Sequence, residues 1–369
     1  MERLKKLSDI IVNHSIKVKE GDKVLITYQI TDAKEFVKYL VKDILKNKGI
    51  PFVKYIDSEL EDIIKGDISD NLINNRTNII KFEVEEYDSF IQIHSNTSDY
   101  YDRNVDNKLN NKLKSSMQPY KDILVNQRHW VLLNYPTMID AYKAKMTYEE
   151  FFNFSLDVMT VDYDKMYRDM LPLKELMEKT DKVRIVAPNT DITFSIKGLP
   201  AIICSGEANI PDGEVFTAPV KDSVNGTITY NTPSPYNGYI YNNVSLTFKD
   251  GKIIECHSSN DEDKLEELFN TDEGSRYVGE FSFGLNPKIM HPMGDILFDE
   301  KIAGSIHFTP GSSYDECDNG NKSKVHFDMV LIQREEYGGG EIYLDDVLVR
   351  KNGKFVLPEL KNLNYEDNE

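Results

Sequence analysis

Four short stretches in the second half of the chain carry side chains able to bind a metal ion. From Asn209 to Pro219 the chain reads Asn-Ile-Pro-Asp-Gly-Glu-Val-Phe-Thr-Ala-Pro. Turn residues followed by alternating β-formers place Glu214 where a tight turn becomes a strand, so its carboxylate has a backbone-fixed direction. Gly279-Glu280-Phe281-Ser282-Phe283-Gly284 sets a second carboxylate at the start of a short strand, among aromatics. Ser305-Ile306-His307-Phe308 sets an imidazole on another, followed by the turn Pro310-Gly311 and then Tyr314. In Val325-His326-Phe327-Asp328-Met329-Val330 apolar and polar residues alternate as far as Met329. Side chains alternate faces along a strand, so His326 and Asp328 share one and form a pincer at i, i+2. Each stretch also has a plainer reading: Glu214 as a turn residue, Glu280 as an edge carboxylate, His307 as a hydrogen-bonded core histidine, Tyr314 as a loop aromatic. A polar face on an apolar strand needs partners if it is buried, and that favours a shared site.

The elements that must position these residues fall into two textures. Through the first half, strand-like runs (Lys23 to Tyr28, Pro51 to Ile56, Ser89 to His94, Trp130 to Asn134) are separated by helical stretches such as Leu4 to Val18 and Ala33 to Lys48. That alternation predicts a parallel sheet with helices on its faces. It carries neither Gly-x-Gly-x-x-Gly nor Gly-x-x-x-x-Gly-Lys-Ser/Thr, so the sheet need not mean a nucleotide site and reads as a scaffold. The polar run Asn96 to Tyr100 reads as a loop at a strand's carboxyl end, and His129 beside Trp130, the chain's one tryptophan, reads as structural. Helical periodicity returns from Thr147 to Leu156 and from Tyr163 to Lys179. Beyond Asp181 come short β-rich runs punctuated by Gly226, Gly238 and Asp250-Gly251, the pattern of antiparallel hairpins. The predicted fold class is therefore α/β: an N-terminal parallel-sheet α/β domain over residues 1–181, then a largely antiparallel, β-rich (α+β) domain over 182–369 that carries the site. A length of 369 residues agrees with two domains.

Composition narrows the function classes. With 44 basic against 62 acidic residues the net charge is −18, a field that repels phosphate backbones and anionic lipid and attracts cations. Nucleic acid and membrane are therefore not expected as partners. No apolar run has the length of a membrane span, and Met1 to Val18 lacks the continuous apolar region of an export signal. Three cysteines without a Cys-x-x-Cys fit reduced thiols, and a cytoplasmic location is expected.

Taken in order, Asn-x-Pro-Asp-Gly-Glu-Val-Phe-Thr-Ala-Pro at Glu214, Gly-Glu-x-x-x-Gly-x-Asn at Glu280, Asp-Glu-Lys-Ile-x-Gly-Ser-x-His ending at His307, Tyr314, and His-x-Asp at His326 resemble the thermophilic metalloaminopeptidases, the aminopeptidase T and aminopeptidase S group called peptidase family M29. The resemblance extends more loosely to Lys19 to Ile26, Tyr135-Pro136-Thr137 and Val224-Asn225-Gly226. It implies a dimeric, two-domain aminopeptidase that hydrolyses the N-terminal peptide bond of peptides with a free N-terminus, through a hydroxide activated by two divalent metal ions. The same resemblance implies Glu214, Glu280, His307, His326 and Asp328 as ligands and Tyr314 as the active-site tyrosine. The chain departs from the family pattern at Phe308-Thr309-Pro310-Gly311 and at Asp345-Asp346-Val347, which bears on loop shape and substrate preference.

Five ligands on one ion would leave little room for water and substrate, whereas two ions sharing a bridging carboxylate leave room for both. Three carboxylates and two neutral imidazoles carry about −3 against +4, and one bridging hydroxide brings the cluster to about zero. Carboxylate and imidazole ligands without thiolate suit zinc, cobalt or manganese. Tyr314 is the expected donor to the oxyanion, and Glu214 or Glu280 the proton relay to the leaving amine. Glu300 is a candidate for the substrate's ammonium group, with a salt bridge in the neighbourhood of Lys301 as its plainer role. Two rival classes stand beside this reading. A two-metal phosphoesterase would need cations at the site, for which Lys221 and Arg276 are the nearby candidates; a silent metal-binding or assembly module would keep the fold without turnover.

Overall fold

Strands and helices alternate through the first 134 residues, and the computed structural model describes residues 2–65, 69–96 and 107–366. Of the run Asn96 to Tyr100, residues 97–100 lie outside the described residues, as do 367–369 of the acidic tail. Two compact units are formed. The first comprises Met1–Val161 with Gly206–Pro211, the second Asp162–Ser205 with Asp212–Glu369.

The first unit is built on a parallel five-stranded sheet in the order Ile50–Tyr55, Lys23–Tyr28, Ser89–His94, His129–Asn134, Asn209–Ile210. Its first helix runs over Glu2–Asp9 and continues as a wider π turn over Ile10–Ser15, which keeps Leu4, Leu7, Ile11 and Val12 on one buried face. Helix Lys34–Lys46 buries Phe36, Val37, Leu40 and Ile44 at the same periodicity. Helix Tyr148–Met159 starts at a capping box: the Thr147 hydroxyl accepts from the Glu150 amide, and the Glu150 carboxylate accepts from the Thr147 amide.

In the second unit all strand pairs are antiparallel. An eight-stranded sheet runs in the order Lys252–His257, Ser245–Lys249, Asn225–Thr229, Thr190–Ser195, Lys182–Ala187, Glu341–Leu344, Val347–Lys351, Lys354–Phe355. A five-stranded sheet has the order Val330–Ile332, Ser305–Pro310, Val278–Gly284, Glu214–Thr217, Ile202–Cys204. Phe194 of the larger sheet packs against Phe281 and Phe308 of the smaller, each at 5.0 Å between centroids, so an aromatic core joins the two. Helix Tyr163–Lys179 belongs to this unit: Lys174 Nζ donates to the Ala201 carbonyl at 2.8 Å, and Asn362 Nδ2 reaches Asp169 at 3.3 Å. The change of texture at Asp181 is thus a helix-to-strand junction inside the second unit, which begins at Asp162 because this helix packs on the β-rich part.

Pairing in the five-stranded sheet explains how residues far apart in sequence share a face. Ser282 stands opposite His307 on one side and Phe216 on the other, while Gly284 stands opposite Glu214. Alternation then puts Glu214, Phe216, Glu280, Ser282, His307 and Thr309 on one face, and Val215, Phe281, Phe283, Ile306 and Phe308 on the other, in the core.

Candidate metal centre

Each chemical group on that face is held by its own local structure. Glu214 follows Asp212-Gly213; Gly213 has φ +138, and its carbonyl accepts from Leu285 N at 2.8 Å, which locks the turn before the strand. Glu280 begins the regular part of its strand, just after a register shift between Val278 and Glu280. His326 and Asp328 lie on an extended segment ahead of Val330–Ile332, outside a regular strand but tied to residues 308–312 by backbone bonds from Ser312 N to Val325 O, Phe327 N to Pro310 O and Phe308 N to Met329 O. Their i, i+2 relation still holds: His326 Nε2 is 3.3 Å from Asp328 Oδ1, while Val325, Phe327 and Met329 are buried.

The five predicted ligands come together. His307 Nε2 lies 3.1 Å from Glu280 Oε1 and 3.2 Å from Glu214 Oε2, and His326 Nε2 lies 3.3 Å from Glu280 Oε2. Glu280 thus presents one oxygen to each imidazole. Ligand atoms of Glu214, Glu280 and His307 fall within 4.8 Å of one another, as do those of Glu280, His326 and Asp328, so Glu280 is common to both groups. Glu300, His307 and Asp328 form a further group of this kind, and Cys204, Asp212 and Glu214 another.

The chain fits a metal at the level of single atoms. Both histidines have Nδ1 against a backbone carbonyl, His307 on Glu300 at 3.2 Å and His326 on Ser312 at 2.9 Å, an anchor that turns Nε2 toward the carboxylates. His326 Nε2 is buried and makes no well-directed hydrogen bond, even with two carboxylates at 3.3 Å. A buried, oriented ring nitrogen of this kind is what a cation would satisfy. The carboxylates are braced in turn: Ser282 Oγ donates to Glu214 Oε2 at 2.9 Å, and Thr309 Oγ1 to Asp328 Oδ1 at 2.7 Å.

Electrostatics follow the same division. Burial opposes a proton on His307, but Glu214 and Glu280 outweigh it and push its pKa up to about 9. His326 is raised well above its ordinary value against burial, chiefly by Asp328. Burial would raise Glu280 and Asp328; the imidazoles instead hold both below the usual carboxylate range. Glu300 is dominated by burial, which pushes it up to about 8 against the pull of Lys301.

Tyr314 stacks edge-on to His326 at 4.9 Å between centroids and also contacts Phe216 at 5.5 Å. Glu300 is at the site, in contact with Lys301. Lys221 and Arg276 are engaged elsewhere: Lys221 Nζ sits over the Tyr277 ring at 4.6 Å, and Arg276 bonds Glu266 and Asn270. Residue-type reasoning missed Lys301 as a partner of Glu214, with Nζ 3.0 Å from Oε1. It also missed Ser282 and Thr309. Ser282 had a visible signal, since it stands two residues after Glu280 on the same strand; Lys301 had none beyond its neighbour Glu300.

The family model described as thermophilic metalloprotease (M29) matches residues 1–355. Aminopeptidase AmpS of Bacillus subtilis is 34% identical over 157 residues, 39% of this chain and 38% of that relative, so the matched part spans little more than a third of the relative's length. Among solved structures, wild-type AmpT from Thermus thermophilus superposes with a TM-score of 0.81 at 18% identity, covering 96% of this chain and 99% of its own. A 2,5-dihydroxypyridine dioxygenase from Pseudomonas putida KT2440 superposes at 0.64 and 17% identity, with 97% and 98% covered. At such identities the likeness is one of fold, and two differently named enzymes share it. Membership rests on the family match over nearly the whole length: the chain belongs to the M29 thermophilic metalloprotease family.

Proposed function

We propose that this chain is a metal-dependent aminopeptidase hydrolysing the N-terminal peptide bond of peptides, with two divalent ions held by Glu214, Glu280, His307, His326 and Asp328. The observation that carries the reading is the position of Glu280, one oxygen toward each anchored imidazole, as a carboxylate shared between two ions would stand. Divalent ions there would supply Lewis-acid polarisation of the scissile carbonyl and bring the pKa of water toward neutrality. His307 and His326 are kept by their Nδ1 anchors in the tautomer whose Nε2 can ligate. Tyr314, packed on His326, is assigned as hydrogen-bond donor to the oxygen that gains charge. Glu214 and Glu280 are the carboxylates available to carry a proton to the leaving amine. Glu300 and the acidic surroundings suit a free N-terminal ammonium, and a homodimer is the proposed assembly.

A phosphoesterase is less well supported, because Lys221 and Arg276 are engaged away from the cluster and Lys301 is committed to Glu214 and Glu300. The experiment is to strip the protein with chelator, reload it with zinc, cobalt or manganese, and assay leucine p-nitroanilide beside bis-p-nitrophenyl phosphate while measuring bound metal. Metal-restored amidase activity is expected. Diesterase activity alone, or uptake of metal without any turnover, would overturn the assignment.

A further inference from the structure

We propose that Lys301 and Ser282 form a clamp that makes Glu214 a one-oxygen ligand, with Lys301 as a positioning residue; this rests on the metal reading given above. Lys301 has no exposed surface, and its Nζ lies 3.0 Å from Glu214 Oε1 and against Glu300 Oε1. An ammonium is costly to bury unless paired, and this one is paired with the site and not with the surface. The two oxygens of Glu214 are thereby given different tasks. Oε1 is occupied by Lys301, while Oε2 accepts from Ser282 at 2.9 Å and is the oxygen 3.2 Å from His307 Nε2.

The backbone shows how the lysine is delivered. The segment through Glu300 and Ile302 crosses the sheet at Gly284, where an added Cβ would meet Ile302 O at 2.4 Å and Glu300 O at 3.0 Å. Glu300 O from the same segment accepts from His307 Nδ1, so adjacent residues orient two ligands at once. A carboxylate with both oxygens free is able to grip an ion at two positions, one of which a hydrolytic site needs for water or substrate. Lys301 closes that option.

The test compares wild-type protein with K301M and S282A. Metal-stripped samples are titrated with zinc against a competing chelator, and cobalt-loaded samples are read by visible absorption, whose intensity falls as coordination number rises. Circular dichroism checks folding. K301M should lose cobalt band intensity, because Glu214 Oε1 becomes free to ligate, whereas S282A, which removes the donor holding Oε2, should bind zinc roughly 10 to 100-fold more weakly with its cobalt intensity unchanged. An unchanged cobalt intensity in folded K301M, or wild-type zinc affinity in folded S282A, would overturn the clamp, even if K301M melts earlier. Should K301M fail to fold, S282A decides on zinc affinity alone: wild-type affinity there removes the Oε2 side of the clamp and overturns the proposal. Wild-type protein that takes up no zinc would instead refute the metal reading itself.

Discussion

Oxygen Oε1 of Glu280 stands 3.1 Å from Nε2 of His307, across two neighbouring antiparallel strands and 27 positions apart in sequence. With Oε2 turned to His326, Glu280 is the single side chain common to both halves of the cluster. Replacing it should therefore remove both halves. Glu280→Ala is expected to stay folded, to lose metal, and to lose more activity than the roughly 100-fold that follows loss of a supporting partner. Turnover at the wild-type level would end the assignment.

If the cluster holds a metal as proposed, its histidines couple that binding to pH. His307 in the metal-free protein titrates at about 9 against an ordinary 6.5, since Glu214 and Glu280 outweigh burial. Its folded pKa lies above its unfolded one, so this stabilising contribution is complete below about pH 6.5 and is lost as the pH rises through about 9. A divalent ion needs the neutral ring, so its affinity climbs across the same interval as the proton leaves. In chelator, Tm should fall between these limits; saturating zinc should flatten or reverse the trend. Parallel slopes with and without zinc would show that ion and proton do not compete for this ring.

Tyr314→Phe tests the oxyanion role. A donor of this kind contributes roughly 100 to 1,000-fold in kcat, and the phenyl ring can keep the packing on His326 and Phe216. Zinc content should not change. A loss of zinc equal to the loss of activity would recast Tyr314 as a support for His326.

Gly284→Ala should act through the backbone. Its Cβ would lie 2.4 Å from Ile302 O and 2.6 Å from Ser305 Oγ, and the carbonyl contact cannot be relieved by a rotamer change. A destabilisation of about 1 to 3 kcal/mol is expected in urea unfolding of the metal-free protein. Weaker zinc binding should accompany it, because the displaced segment carries Lys301. An alanine variant as stable as wild type would mean that the Ile302 backbone can move aside without cost.

Much of the architecture was readable from periodicity, and the reason is local. The runs Lys23 to Tyr28 and Ser89 to His94 are bounded by turn residues and rich in β-formers, and both are strands over the expected residues. Glu280 and His307 were readable as site candidates because a carboxylate and an imidazole interrupt strands that are otherwise apolar. His326 and Asp328 share a face as alternation requires, although they lie just outside the regular strand that follows. The contact of Glu300 with Lys301 was readable as a salt bridge, but the pairing of Lys301 with Glu214 was not. That pairing depends on a backbone crossing at Gly284, a non-local event that no spacing in the chain records. The register shift before Glu280 is hidden for the same reason, since only the partner strand reveals the extra residue.

The strand Val278–Gly284 belongs to two structures at once: Glu280 and Ser282 face the cluster, while Phe281 and Phe283 sit among the rings between the sheets. No substitution of those rings is remote from the chemistry. Heating that loosens the aromatic packing is expected to disturb the carboxylate positions before the chain comes apart, so the proposed peptidase activity should fade at temperatures where the bulk spectroscopic signal of folding is still intact.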